Sequence, residues 1–442
     1  MKQVLWFRRD LRVEDSALLH YARGEVLPIF IFDLNILDKL PKDDKRVTFI
    51  YQSVILLKKQ LQNLGLDLAI FYGKPKEIFE SLKKDFDEVL CSCDFDSYAI
   101  KRDKEIESLI PMQRFYDSFL IHPNDGLKAD GTPYKVFTPF YNNLMPLWDC
   151  SKIEEYTVSK TIKLIEYNFA HQISLEKLGF IKQKLTDFLY KNVNEVIDEF
   201  LPKLLDYKTA RDLFSSDGTS NLSVYLRFGL VSPKQLFNKI KQHPYSEDFI
   251  RELFWREFYN SILYHFPSSE FENFNGKNIP WKENEQHFKM WSEGKTGVPI
   301  IDASMISLNQ TGLMHNRLRM IVASFLTKNL FLPWKWGEEY FALKLLDYEA
   351  SSNIGSWQWG ASTGADSVPY FRIFNPYTQS AKFDKDGIFI KSILKELSDE
   401  DPKLFHKENG VQSNLFLNYP STLVNIKQSR EDAINIFKKI SV

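Results

Sequence analysis

The sequence predicts an α/β fold followed by an all-α one: an N-terminal doubly wound parallel-sheet domain, a long linker and a C-terminal helical domain. Three observations carry that prediction. Short apolar runs alternate with helix-spaced patterns over residues 1–125, as strands joined by crossover helices do. Turn formers then crowd the stretch that begins HPNDGLKADGTPYKVFTPFY (122–141), which reads as a connection. Beyond residue 200 strand signals nearly vanish, and amphipathic helical patterns punctuated by Gly and Pro take over. The expected boundaries are 1–125, 126–200 and 201–442.

In chain order, the strand-like runs are VLWF (4–7), EVLPIFIFD (25–33), LDLAIFYG (66–73), EVLCSCD (88–94) and FYDSFLI (115–121). Between the second and third, RVTFIYQSVILLKKQLQNLG (46–65) repeats apolar residues at helical spacing and stops at a glycine. No GxGxxG follows the first strand, so NAD is not expected there. A charged elbow, Arg8-Arg9-Asp10-Leu11-Arg12, stands in its place and by itself reads as a salt-bridged loop. Asp130-Gly131 marks a hairpin-type turn. There is no internal repeat and no low-complexity tract.

A chain of 442 residues suffices for two or three domains with real cores. Its 36 Phe, 20 Tyr and 9 Trp, 15% aromatic in all, argue against disorder. The formal net charge of −1 predicts no partner, so any polyanion site must be a local patch. Cys91, Cys93 and Cys150 make neither a disulfide framework nor a zinc set, and no metal is expected. A reducing cytoplasm is the simplest setting. The start MKQVLWFRRDLRVED has a four-residue apolar stretch followed by charges, unlike a signal peptide or anchor, and no run is long enough to span a bilayer. The expectation is a soluble cytoplasmic protein, monomeric by default.

Seven of the nine tryptophans lie between 255 and 359. Singly each is best read as core; together they suggest a π-rich site for stacking or electron transfer. GTSNLSVYLRFG (218–229) resembles a capped helix start, a natural phosphate site, although most such starts bind nothing. GKTG (294–297) is not a P-loop, because Lys289 stands where the motif needs glycine. In HNRLRM (315–320), Asn316 and Met320 share a helix face, an amide beside a thioether that suits gripping a planar heterocycle. In ELFWREFY (252–259), Glu252 and Trp255 at i, i+3 set a carboxylate beside a large ring. A core Met beside a surface Asn, or a surface Glu beside a core Trp, explains either segment alone.

The combination is more specific. ELFWREFY, W-x9-WSEGKTGVPIIDASM, TGLMHNRLRM and WQWGASTGADSVPYFRIFNP, in this order, with FRRDLRVED near the start, resemble the photolyase/cryptochrome family over nearly the whole chain. Within it the chain looks most like class I cyclobutane pyrimidine dimer photolyases. The resemblance implies FAD in the helical domain, working as FADH⁻, and damaged DNA as partner. It implies cofactor contacts from Tyr207, Thr219, Ser220, Asn221, Leu222 and Ser223, an Arg319–Asp347 pair beside the flavin ring, and Asn353 facing flavin N5. Phe249 stands where the family often has Trp, Glu349 replaces the second acid of Asp-x-Asp, and Asn221 sits where Arg is frequent. Substrate contacts are implied for Glu252, Trp255, Asn316, Met320 and Trp359, and phosphate contacts for Arg256, Arg317 and Arg372. Trp357, Trp334 and Trp281 match the electron-transfer triad, leaving Trp336 and Trp291 as structural.

The resemblance leaves three rivals, one of them an inactive flavoprotein, against which the intact set of Glu252, Trp255, Asn316, Met320 and Trp359 argues. A (6-4) photolyase would need two histidines where Asn316 and Met320 stand, and neither is a general acid. A cryptochrome would use the same flavin for signalling; its usual mark is a long disordered tail, and here the chain closes with IFKKISV. Ile100 and Lys101 occupy places where folate-binding members show Asn and Glu, which argues against a folate antenna and leaves a deazaflavin or another flavin.

Overall fold

A computed structural model describes residues 1–149, 153–165, 167, 173–414 and 416–440. Cys150 and the last two residues of IFKKISV lie outside them. The chain forms two compact units, the first comprising Met1–Pro133, Phe140–Pro202 and Ser220–Tyr264, the second Tyr134–Pro139, Lys203–Thr219 and His265–Val442.

The first unit is built on a wholly parallel sheet of β1 (Lys2–Phe7), β2 (Gly24–Asp33), β3 (Ala69–Gly73), β4 (Glu88–Ser92), β5 (Met112–Phe115) and β6 (Ile162–Leu164). The order is β3-β2-β1-β4-β5, and β6 pairs with β2 at Gly24–Val26, ahead of the Ile29–Asp33 segment that pairs with β3. β2 is buried over eight consecutive residues, as a strand covered on both faces must be, hence its continuous apolar run. Alternate residues of neighbouring strands share one core: Val4 and Trp6 of β1 with Leu27, Ile29 and Ile31 of β2.

One strand expectation needs correction, and one strand was not expected. The fifth strand is MQRF, and only Phe115 of FYDSFLI belongs to it. The rest is a buried connection shaped by polar bonds: Asp117 pairs with Arg12 at 2.6 Å and accepts from the Ala17 N–H. β6, three residues long, is too short to carry a periodic signal. The charged elbow is a salt-bridged loop, with Arg8 paired to Asp103, Arg9 to Asp94 and Arg12 to Asp117. Asp130-Gly131 does turn the chain, with Gly131 at φ +79° and Leu127 bridged to Pro133. Ser220–Tyr264 packs with the sheet unit through bonds such as Glu257 Oε2 accepting from the Ile121 N–H.

The second unit is helical, including Pro299–Thr311, Asn316–Ser324, Trp334–Lys344 and Ala350–Ala361. GKTG is a turn in it: Asp302 accepts from the Thr296 N–H and hydroxyl and the Gly297 N–H. Among the described residues no helix is long and apolar enough to cross a membrane.

Lys328, on the π-helical turn Phe325–Asn329, is buried without a carboxylate partner among the described residues. Its ammonium donates to Ala361 O (3.0 Å) and Ser362 Oγ (2.8 Å) and lies 3.8 Å from the Phe437 ring centre. Burial pushes it down to about 7, against about 10.4 for an unfolded lysine. Between those values the unfolded chain holds the extra proton, so stability rises with pH through that window. Lys328→Met is expected to abolish this rise. Thermal unfolding of both proteins at pH values near 7 and near 9 tests it, and parallel pH dependences would refute it.

Candidate functional site

In the first unit, the helix Glu247–His265 carries four of the expected residues. Glu252 and Trp255 are half-buried on one face, and Trp255 packs against Tyr259 with ring centres 5.6 Å apart. Phe249 is buried against Phe200. The Arg256 guanidinium turns inward, donating to Ser118 O at 2.8 Å and lying 4.0 Å from the Phe119 ring centre.

The run 218–229 is also not the capped start it resembles. The helix is only Ser223–Arg227, its N-cap is Leu222, and no side chain caps it. Ser220 Oγ instead accepts from the Leu222 N–H at 3.3 Å, and Asn221 sits at φ +57°. Asn is among the few non-glycine residues that tolerate this conformation, so the backbone turns before the helix begins.

In the second unit Tyr207 is buried at the start of a short helix, and Thr219 is half-buried. The helix Asn316–Ser324 begins at His315, whose Nδ1 accepts from the Arg317 N–H at 3.1 Å. Burial pushes the His315 imidazole down to about 4, so it is neutral. Asn316 Nδ2 and Met320 Sδ lie 3.9 Å apart, the shared face that the spacing indicates. Arg317 leaves that face and donates to Asp212 at 2.6 Å, over the Phe383 ring. Arg319 Nη2 donates to both oxygens of Asp347, at 3.0 and 2.8 Å, and its Nε to Met314 O at 2.8 Å. The guanidinium is thereby fixed in direction as well as charge. Glu349 is buried and accepts from the Ser351 hydroxyl at 2.7 Å. Trp359 is half-buried and stacks near Phe374, and Arg372 is exposed.

Asn353 owes its orientation to a residue that the sequence did not single out. Its amide N–H₂ donates to Glu338 O (3.1 Å) and Glu338 Oε1 (3.0 Å), while Lys335 Nζ donates to Glu338 Oε2 (2.7 Å). The donors of Asn353 are thus occupied and its carbonyl oxygen is left as acceptor. Glu338 stands in the run WKWGEEYF, where a glutamate reads as part of a solvated face; only its burial distinguishes it.

Of the three tryptophans, two are buried and one is half-buried. Trp357 and Trp334 are 2% and 3% exposed, and Trp281 is half-buried. Trp357 meets Phe341 edge-on at 5.0 Å and Trp291 at 6.1 Å. Its ring lies directly on Gly337, where a Cβ would stand 2.1 Å from Cη2. Gly337 is three residues after Trp334 on the same helix, so the missing side chain brings Trp357 within a turn of Trp334. The Trp334 indole N–H donates to Asn273 Oδ1 at 2.8 Å, a second partner invisible in the sequence. Trp281 packs on Phe331 and Phe437. Trp291 is wholly buried, and Trp336 packs edge-on against Phe288.

A second cluster lies at the carboxyl ends of β1, β2 and β4, where the strand order reverses and open α/β sheets take ligands. Tyr98 donates to Asp33, whose carboxyl burial pushes upward, and Arg102 lies over the Trp6 and Tyr98 rings. Asp96 is pushed up to about 6 by burial and by the Asp94 charge. The Asp94 carboxyl is held at about 2, with burial opposing but Arg9 and Arg227 prevailing. Ile100 and Lys101 are on the adjoining helix Ser97–Glu107. Burial raises the Cys91 and Cys93 thiols to about 11 and about 12, which keeps them unreactive.

Family models match on both sides of this geometry: DNA photolyase over residues 3–155 and the FAD binding domain of DNA photolyase over 249–439. The chain is 35% identical to a deoxyribodipyrimidine photo-lyase of Alkalihalophilus pseudofirmus, covering 99% of this chain and 98% of the relative. It is 32% identical to that of Escherichia coli, covering 98% of each. Among solved structures it resembles an archaeal photolyase from Sulfolobus tokodaii with two FAD molecules, at TM-score 0.86 and 32% identity over the whole of both chains. It also resembles a Synechocystis cryptochrome, at TM-score 0.87 and 26% identity over 99% of each.

Proposed function

Because the chain belongs to the photolyase/cryptochrome family, we propose that it is a light-driven DNA repair enzyme that splits cyclobutane pyrimidine dimers. The observation that carries this reading is the Asn316–Met320 face beside the fixed Arg319–Asp347 pair. It supplies an amide, a thioether and a cation fixed by a carboxylate.

The residues fit reduced FAD. The Asn353 carbonyl, freed as acceptor by Glu338, suits the N–H that flavin N5 carries when reduced, and the Arg319 guanidinium suits an anionic ring. Reduced FAD held there would supply light-driven one-electron chemistry to the dimer. Tyr207, Thr219, Ser220, Asn221, Leu222 and Ser223 would bind the remainder of the cofactor, with Phe249 and Glu349 lining it.

On the first unit, Trp255 would offer an apolar wall to the extruded dimer and Glu252 would hold a base edge. On the second, Trp359 would supply another wall, Asn316 would bond the bases and Met320 would press on them. Extrusion costs least for a lesion that stacks poorly, which favours damaged sites. Arg372, exposed, remains the candidate for backbone phosphate. Arg317 would contact phosphate only by exchanging its bond to Asp212.

Trp357, Trp334 and Trp281 would carry electrons inward when oxidised flavin is reduced by light. Residues 1–125 would hold an antenna at the strand ends, a deazaflavin or flavin in preference to folate; 126–200 would connect, and 201–442 catalyse. The protein would act as a cytoplasmic monomer.

The test is illumination of a thymine-dimer oligonucleotide with purified, reduced protein, beside a (6-4) oligonucleotide and a dark sample. Loss of the dimer in light alone, with the (6-4) lesion untouched, is expected. Bound flavin with neither lesion changed would reject repair and favour a cryptochrome, in line with the Synechocystis likeness.

A further inference from the structure

A cavity of about 420 Å³ opens on the second unit, walled by Trp281, Pro333 and Trp334 and rimmed by Glu272, Lys277 and Asn278. Its walls are held in place. Asn273, which accepts from the Trp334 indole, donates its own amide N–H to Lys277 O at 2.6 Å. The loop is fastened further by the buried Gln358 side chain. Gln358 Nε2 donates to Ser269 O and Glu272 O, and its Oε1 accepts from the Phe274 N–H. Trp281 is backed by Phe331 at 5.1 Å, and its half-buried ring contributes to the cavity wall.

The half-buried Trp281 ring and Pro333 make an apolar wall, with little of the buried Trp334 indole reaching it, and such a wall favours a planar conjugated ring. A rim of amide, carboxylate and ammonium favours a ring that carries an amide and an anionic extension. The volume is at the small end of ligand sites, typically ~300–1,000 Å³, enough for such a ring and one sugar. We propose that this cavity docks a dihydronicotinamide, the ring of NADH, as the electron donor that refills Trp281. The proposal rests on the electron-chain reading above and names the donor at its outer end.

The electrons balance. A hole arriving on Trp281 takes one electron from the docked ring. The oxidised ring releases its C4 proton to water, and the neutral radical gives its second electron to the next hole. Two photons thus consume one NADH, and FAD + NADH → FADH⁻ + NAD⁺ overall. Contact between ring and indole makes each transfer a step within a complex, so its rate must saturate with donor concentration.

The experiment is flash photolysis of the flavin-loaded, oxidised protein at increasing NADH, reading tryptophan-radical decay. Saturation-transfer NMR in the dark reads binding to the nicotinamide protons. A decay rate that levels off, together with saturable dark binding, is expected. Asn278→Trp, which fills the mouth, should slow the decay at least about tenfold and make its dependence linear. Lys277→Glu, which reverses a rim charge without filling space, should raise the half-saturating concentration about tenfold. Linear dependence in the unaltered protein, or dark binding that both substitutions leave unchanged, would overturn the proposal. If Trp281→Phe gives the same radical signal as the unaltered protein, the electron-chain reading fails and the donor role with it; the dark-binding arm tells this failure from the first.

Discussion

Arg319→Ala is expected to lose repair by about 100-fold, the scale seen when one preorganised charge-stabilising donor is removed from an active site. The substitution deletes the cation that Asp347 holds through both oxygens and leaves that carboxylate, only 6% exposed at the side chain, without its partner. Breaking a buried pair costs ~3–5 kcal/mol. The Arg319 side chain is 29% exposed, so solvent screening reduces the stability loss to about 2 kcal/mol. Arg319→Lys should recover part of the activity, since it restores the charge without the fork. Repair rate, melting temperature and the air-oxidation rate of the reduced flavin are the measurements. A variant that melts lower but keeps its reduced flavin as long as the unaltered protein would reduce the pair to a structural role.

Gly337→Ala is expected to separate light-driven flavin reduction from repair. Its new methyl would stand 2.1 Å from Trp357 Cη2 and 2.7 Å from Leu326 Cδ2, against two buried side chains. Overpacking of this kind costs ~1–3 kcal/mol, and the ring must move to relieve it. Displacing a reacting group by about 1 Å can cost ~100-fold in rate, so photoreduction should slow by about 10- to 100-fold. Chemically reduced protein needs no tryptophan chain, and its repair should stay close to that of the unaltered protein. Equal slowing of both reactions would mean that the substitution disturbs the flavin site at large. Unchanged photoreduction would mean that the Gly337 contact does not set the hop between Trp357 and Trp334.

Much of the candidate site's geometry was legible because its spacing is local. Glu252 and Trp255 share a face at i, i+3, Asn316 and Met320 at i, i+4, and a helix obliges such pairs to lie together. The salt-bridged elbow was readable for the same reason, since four charged residues clustered next to a buried strand require partners. The capped start at 218–229 misled because Ser, Thr and Asn also serve turns. Asn221 at φ +57° decides between those uses, and composition does not encode it. Spacing leaves Arg256 open, because an arginine in a helix can turn outward to phosphate or inward to a carbonyl, as it does here, with the same spacing.

The sequence alone determined the periodicities: apolar runs that make a parallel sheet, helical repeats beyond it, and the order of motifs that marks the family. These depend on near neighbours along the chain, whose geometry the backbone dictates. The tertiary structure alone decided which distant polar groups meet. Glu338 orients Asn353, Asn273 holds the Trp334 indole, and Asp212 takes Arg317, across 15, 61 and 105 residues. Such partners are chosen by burial, because a polar group removed from water must be satisfied by whatever the fold brings within reach. No local pattern records that choice.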